Sequence, residues 1–136
     1  MLNMKTKLTS VMYLGYTAMD RRFSNAMLPW LLRELKATGV RDKLSIAIED
    51  GCLKAYNSNF EPVIVHQLVD IIRASQVPGR PEELFYILYN EKEGLLNCYL
   101  FRTSTVLETR RGVDMLKAYS YIGCNLRRTR SCRYIL

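Results

Sequence analysis

Enzyme chemistry needs reactive side chains in pairs, and this sequence offers few. His66 is the only histidine, and it sits in the apolar run PVIVHQLVDII with no cysteine or carboxylate at metal-ligand spacing. An imidazole so placed reads as a structural side chain rather than a general base. Cys52, Cys98, Cys124 and Cys132 contain no C-x-x-C pair, so neither a zinc site nor a redox dithiol is expected. Glu49-Asp50 precedes a glycine and Glu82-Glu83 leads into an apolar run. Both pairs read as solvated turn residues rather than an acid/base couple. Serines are plentiful, but none has a base beside it to activate the hydroxyl, and there is no glycine-rich phosphate loop. The expectation is a protein with no catalytic residues, no metal ligands and no cofactor.

Charge is the next candidate source of function. The 136 residues carry 20 Lys+Arg against 13 Asp+Glu, a formal net charge of +7, which favours acidic partners such as phospholipid head groups or nucleic acid. The excess is concentrated at the end. Arg127, Arg128, Arg130 and Arg133 lie in the final stretch LRRTRSCRYIL, which holds no acid, and without them the excess falls to +3. Residues 124–136 therefore read as a basic, disordered tail that could touch phosphates without sequence preference. No specific nucleic-acid site is expected, because the aromatics are spread through core-like positions rather than gathered on a stacking platform. The N-terminus lacks a long apolar segment of the signal-peptide kind, and no apolar stretch approaches the roughly 20 residues of a membrane span. Cys52 and Cys98 lie in apolar runs, where a reduced thiol behaves as a small hydrophobe, so a cytoplasmic location with free thiols is expected.

The elements that would position a site follow from periodicity. Residues 10–19, SVMYLGYTAM, read as a buried strand whose tyrosines are structural. Met27, Leu28, Leu31, Leu32 and Leu35 recur at helical spacing. Ser24 or Asn25 could cap that helix, Pro29 falls in its first turn, and Gly39 could end it. Period two returns at Leu44, Ile46 and Ile48; Asp50-Gly51 marks a hairpin, Cys52–Tyr56 the return strand, and Asn57-Ser58-Asn59 a turn. PVIVHQLVDIIRASQ reads as two strands, 62–67 and 69–75, joined by a sharp bend. A continuous helix competes, but Val63-Ile64-Val65 and Ile71-Ile72 favour strand. Residues 77–81 read as a loop, 84–89 as a strand buried on both faces, 90–94 as a turn and 95–102 as another strand. A second helix starts at Ser104 or Thr105 and carries Val106, Leu107, Val113, Leu116 and Tyr119. Gly112 weakens it by about 1 kcal/mol relative to alanine, and Gly123 is expected to stop it. The order is strand, helix, about six strands, helix: an antiparallel sheet curled into a sandwich or barrel, with the last helix over one open end.

Several short motifs in this order resemble the phosphotyrosine-binding (phosphotyrosine-interaction) domain family of the pleckstrin-homology-like superfold, most closely its Disabled, Numb and ARH type. Tyr13-Leu14-Gly15 is similar to the family's first-strand Y-L-G. Lys43–Ile48 followed by Gly51–Tyr56 is similar to its V-x-L-x-V hairpin, and Val69–Ala74 to its I-S-F-I-A-R strand. Leu84–Leu88, Cys98-Tyr99-Leu100-Phe101 and Lys117-Ala118-Tyr119 stand where V-F-A-Y-I, C-H-x-F and Q-A-F fall. The likeness covers about residues 8–122, and the domain is taken as 8–123.

The resemblance implies a seven-stranded α+β PH-like fold and a non-catalytic adaptor that binds N-P-x-Y-like tails of receptors or signalling proteins. Such a peptide would add a strand to an exposed sheet edge. That edge would be Val69, Ile71, Ile72, Arg73 and Ala74, facing Met115, Tyr119 and Ile122 on the last helix. A one-residue change of register would exchange the inward and outward faces. Arg73, or Arg80 in the loop, would meet a phosphotyrosine, although binding without phosphorylation is the expectation. The alternative implied function is membrane recruitment, with Arg21, Arg22 and Lys43 holding an acidic phosphoinositide head group at the inner face of the plasma membrane.

Overall fold

A computed structural model describes residues 8–19, 22 and 25–126, with Asn25 and residues 119–126 described by backbone alone. The elements run β1 (Thr9–Met19), a 3-10 turn (Asn25–Met27), α1 (Leu28–Ala37), β2 (Asp42–Glu49), β3 (Cys52–Tyr56), β4 (Pro62–Gln67), a 3-10 turn (Leu68–Asp70), β5 (Ile71–Val77), β6 (Arg80–Asn90), β7 (Leu95–Thr103) and α2 (Val106–Leu126). All seven strands join one antiparallel sheet in the order β4-β3-β2-β1-β7-β6-β5.

That order has a geometric consequence. β4 and β5 are the two ends of the sheet, yet the turn Leu68–Asp70 alone separates them in sequence. A flat sheet would hold its end strands about 29 Å apart, while the short connection reaches about 14 Å at most. The sheet must therefore fold over on itself. Its inner face holds one core cluster, with Leu44, Leu53, Leu68, Ile71, Tyr86 and Phe101 at its centre. It is an open, curled sandwich and does not close into a barrel.

The two helices cover different surfaces. α1 presents Leu28, Leu31, Leu32 and Leu35, all buried, to the outer face of the sheet. They pack there with Leu14, Phe85, Ile87 and Leu100 in a second cluster. Each fully buried leucine stabilises the fold by roughly 1.5–3 kcal/mol, which is why so short a helix holds its place. α2 lies on the inner side and packs on β5, β6 and the 68–70 turn. Its buried Val113 and Leu116 join the inner cluster.

Local chemistry explains the joints. Asp50 (φ 55°) and Gly51 (φ 73°) both take left-handed conformations, the pair that a two-residue hairpin with native twist requires. Asn57 Oδ1 accepts from the backbone N–H of Asn59 (2.9 Å) and Glu61 (3.0 Å), closing the β3–β4 turn. Thr105 Oγ1 accepts from the Glu108 N–H at 3.1 Å and caps α2. Gly15 has φ +113°, and a Cβ there would meet Leu35 Cδ2 at 3.0 Å. Glycine thus lets β1 change register between Tyr13 and Gly15 while α1 approaches closely.

Several sequence expectations need correction. α1 starts at Leu28 behind a 3-10 turn, its N-cap is Met27 without a side-chain hydrogen bond, and Ser24 lies outside the described residues. Pro29 and Gly39 act as expected: the proline stands in the first turn, and Gly39 leaves the helix at φ +80°. The bend in the long apolar stretch is a 3-10 turn, so Val69 belongs to the turn and β5 begins at Ile71. The expected loop 77–81 is a tight hairpin: Val77 pairs with Arg80, and Gly79 takes φ +81°. α2 does not stop at Gly123 but runs to Leu126. Gly112 stands where a Cβ would lie 3.4 Å from Leu84, so its cost in helix propensity accompanies a close approach of α2 to β6. The expected tail lies outside the described residues from 127 onward.

Candidate functional site

The expected site is the edge of β5 beside α2. β5 is the terminal strand of the sheet and pairs on one side with β6, from Ile71↔Leu88 to Val77↔Arg80. Among the described residues no strand pairs with its other side. Every second residue of such an edge turns its N–H and C=O outward, where water or a further strand must satisfy them. α2 follows β7 and packs against β5, β6 and the 68–70 turn, so the helix lies beside this edge strand.

The register decides which side chains face it. Ile71 (0% exposed) and Ala74 (5% exposed) point into the inner core and are not available to a ligand. Ile72 lies beside a bulge in the pairing and packs on the outer cluster under α1. Arg73 pairs with Ile87, also on the outer face, and its guanidinium stands over the Phe85 ring at 5.5 Å. That geometry is a cation–π contact. Four of the five expected strand residues are thus divided between two faces, two as core and two toward α1. Val69, in the 3-10 turn, is half-buried. Sequence reasoning passed over Ser75 and Gln76, which are half-buried on the same edge strand. Their signal was weak, since polar residues at a strand end look like the approach to a turn.

On the helix side, Met115 is 45% exposed, next to the buried Leu116. Positions 115, 119 and 122 follow one another at helical spacing on α2, and the side chains of Tyr119 and Ile122 lie outside the described residues.

The basic candidates among the described residues lie on different elements. Arg21 lies outside the described residues, and Arg22 is exposed in a turn. Lys43 is exposed on β2 and shares a rung with Met12, Arg102 and Glu83, three strands away from β6. Arg80 is exposed at the β5–β6 hairpin.

Titratable groups are similarly quiet. Burial lowers the His66 imidazole to about 4, so it is neutral at pH 7. Its Nδ1 is hydrogen-bonded to the Tyr86 hydroxyl at 2.8 Å, as expected of a structural histidine. Burial raises the Cys98 thiol to about 12, far from the reactive thiolate range. Among the described residues no cluster of His, Cys, Asp or Glu could hold a metal ion.

No protein-family model and no curated protein sequence matches the chain. Solved structures do match in fold. The C-terminal phosphotyrosine interaction domain of mouse APBB2 is similar with a TM-score of 0.65 at 13% identity, over 85% of this chain and 86% of that one. A point mutant of the DH/PH domains of p115-RhoGEF is similar with a TM-score of 0.55 at 11% identity, over 87% of this chain and 31% of that one. At these identities the likeness shows the fold: a PH-like seven-stranded sheet with one helix after the first strand and one at the end.

Proposed function

We propose that the chain is a non-catalytic adaptor domain of the Disabled/Numb/ARH kind. It captures the N-P-x-Y-like tail of a receptor or signalling protein, on the cytoplasmic side of a membrane, by adding that tail as a strand to β5. The observation that carries this reading is that β5 ends the sheet, with no described strand on its outer side, while α2 runs alongside. Main-chain hydrogen bonds to the edge would supply affinity, and side chains lining the groove would choose among peptides. Because Ile71 and Ala74 are core, and Ile72, Arg73 and Ser75 lie on the α1 side, selection falls to Gln76, Met115 and the later turns of α2. The engagement of Arg73 with Phe85 favours a ligand that needs no phosphate. The neighbouring phosphotyrosine interaction domain of APBB2 supports the reading by fold and by name.

The test is an NMR titration of the chain with N-P-x-Y peptides, with and without phosphate, against inositol-phosphate head groups. Peptide shifts clustered on 71–77 and on α2 are expected, with about tenfold weaker binding in Met115→Glu. Met115 suits this purpose because it is half-exposed, whereas Ile72 packs under α1 and its replacement would disturb the fold. Head-group shifts confined to Arg22 and Lys43, with none from peptide, would assign the domain to phosphoinositide binding instead.

A further inference from the structure

Among the described residues the sheet has a second free edge. There β4 ends the other side of the sheet and pairs with β3 alone. Natural proteins commonly protect such edges with charge, and Pro62–Gln67 contains no charged residue. Val63 and Val65 are 51% and 53% exposed. Pro62, which lacks an N–H, shields only the start of the strand.

Beside this edge lies a hollow of about 660 Å³, bounded by β4, the second half of β1, the start of β2, the β3–β4 turn and β7. It exists because β2 begins opposite Tyr13, so among the described residues β1 from Gly15 onward pairs only with β7. At β5 the sandwich is covered by α2; at β4 none of the described elements covers it. Tyr13, Tyr16, His66 and Tyr99 line the hollow, and Tyr86 and Phe101 lie fully buried behind them. Phe101, Tyr86, Tyr99 and Tyr16 form a ladder of near-parallel rings, with successive centroids 5.7, 5.4 and 5.1 Å apart. The last rung, Tyr16, is 57% exposed at the rim.

We propose that the β4 edge and this hollow form a second peptide site, which takes an extended, uncharged segment of a partner protein and receives one of its aromatic side chains against Tyr16 and Tyr99. Each half of the site argues for part of the ligand. The unpaired backbone of β4 repeats its donors and acceptors at strand spacing, and another strand matches that repeat. The ring ladder ends in an exposed tyrosine, and offset stacking or edge contact from one more ring would extend it. Charge gives the third constraint. In a chain of net charge +7, the hollow is lined by one acid, Asp42, and one base, Lys43. His66 at its wall is neutral at pH 7, held so by burial. Such a surface gives no preference to an anionic head group or an acidic tail. A second copy of the chain is a poorer occupant, because its own β4, PVIVHQ, carries no phenyl, phenol or indole ring.

The test uses the full 15N-labelled chain and three capped heptapeptides of alternating threonine and valine, with tyrosine, alanine or glutamate at the centre. The tyrosine peptide is expected to shift the amides of Tyr16 and residues 62–67, and to bind at least tenfold more tightly than the other two. Tyr16→Ala is expected to erase that preference; its cooperative unfolding is checked in parallel. Should that variant not fold, Val65→Lys at the exposed edge carries the same expectation. Equal affinity for the tyrosine and alanine peptides, or shifts confined to 71–77, would overturn the proposal. A dimer in sedimentation that Val65→Lys disperses would assign the edge to a second copy and overturn it too. Because the readout is 62–67 and not 71–77, the outcome is independent of whether β5 binds an N-P-x-Y tail.

Discussion

Replacing Glu83 with glutamine should cost this protein about 3 kcal/mol. Glu83 opens the central part of β6 and its side chain has no exposure, the only charged group so buried among the described residues. Two cations meet it. Lys36 Nζ, from the last turn of α1, donates to Oε1 at 3.0 Å and to Oε2 at 3.2 Å. Arg102, from β7, donates to Oε2 through Nη2 at 2.8 Å and Nε at 3.3 Å. At an effective dielectric constant of about 20, each ion pair near 3 Å is attractive by about 5–6 kcal/mol. Burying the carboxylate costs several kcal/mol in return, and removing one partner of such a set typically costs about 3–5 kcal/mol. The lower end applies here, because the Lys36 and Arg102 side chains keep 27% and 31% exposure and can rehydrate. The assay is urea unfolding of wild type and Glu83→Gln at pH 7. With a slope of about 1.5 kcal/mol per molar, the midpoint should fall by about 2 M.

The same variant carries a pH signature. Burial alone would raise the Glu83 carboxyl, but hydrogen bonds from Arg102 and Lys36 outweigh it and hold the group below its ordinary 4.5. A depressed carboxyl contributes stability that is present above the unfolded value and lost as pH falls through the folded one. The penalty of Glu83→Gln should therefore be constant from pH 7 to about 4.5 and shrink below that. A penalty under about 0.5 kcal/mol at pH 7, or one that does not shrink in acid, would refute the argument that this ion set fastens α1 to β6 and β7.

Two further outcomes follow from the fold. Gly15→Ala should destabilise by about 2–3 kcal/mol, combining the backbone cost at φ +113° with the 3.0 Å approach to Leu35. Gly39→Ala, at φ +80° with no neighbour within 4 Å, should cost about 1 kcal/mol, and equal costs in thermal unfolding would show that the approach to Leu35 is not tight. His66 should make stability pH-dependent in a separate window. Its imidazole falls from an ordinary 6.5 to about 4 in the fold, so the stability it contributes is present above 6.5 and lost as pH falls toward 4. At pH 5 full linkage gives about 2 kcal/mol, reduced to about 1 kcal/mol for a side chain that is not fully buried. His66→Gln should be flat between pH 7 and 5 in urea midpoint; a slope equal to that of wild type would contradict the assignment.

The sequence by itself determined the order and type of the elements. Periodicity separated α1 from the strands because Leu28, Leu31, Leu32 and Leu35 step at three and four while Leu44, Ile46 and Ile48 step at two. Asp50-Gly51 and Gly39 marked their turns because few other residues accept a positive φ. These are local preferences, readable without knowing what packs where. Faces and edges are not local. Nothing in VDIIRA states that Ile71 and Ala74 go to the inner core while Ile72 and Arg73 turn toward α1, because a bulge near Ile72 resets the alternation. The run past Gly123 also escaped the sequence, since glycine lowers helix propensity without forbidding helix. Above all, only the tertiary structure decided that β4 and β5 are the end strands of the sheet, and that α2 covers one side of the sandwich and leaves Tyr16 exposed at the other. Edges are set by which strands pair across the whole chain, and that pairing is written in no single segment.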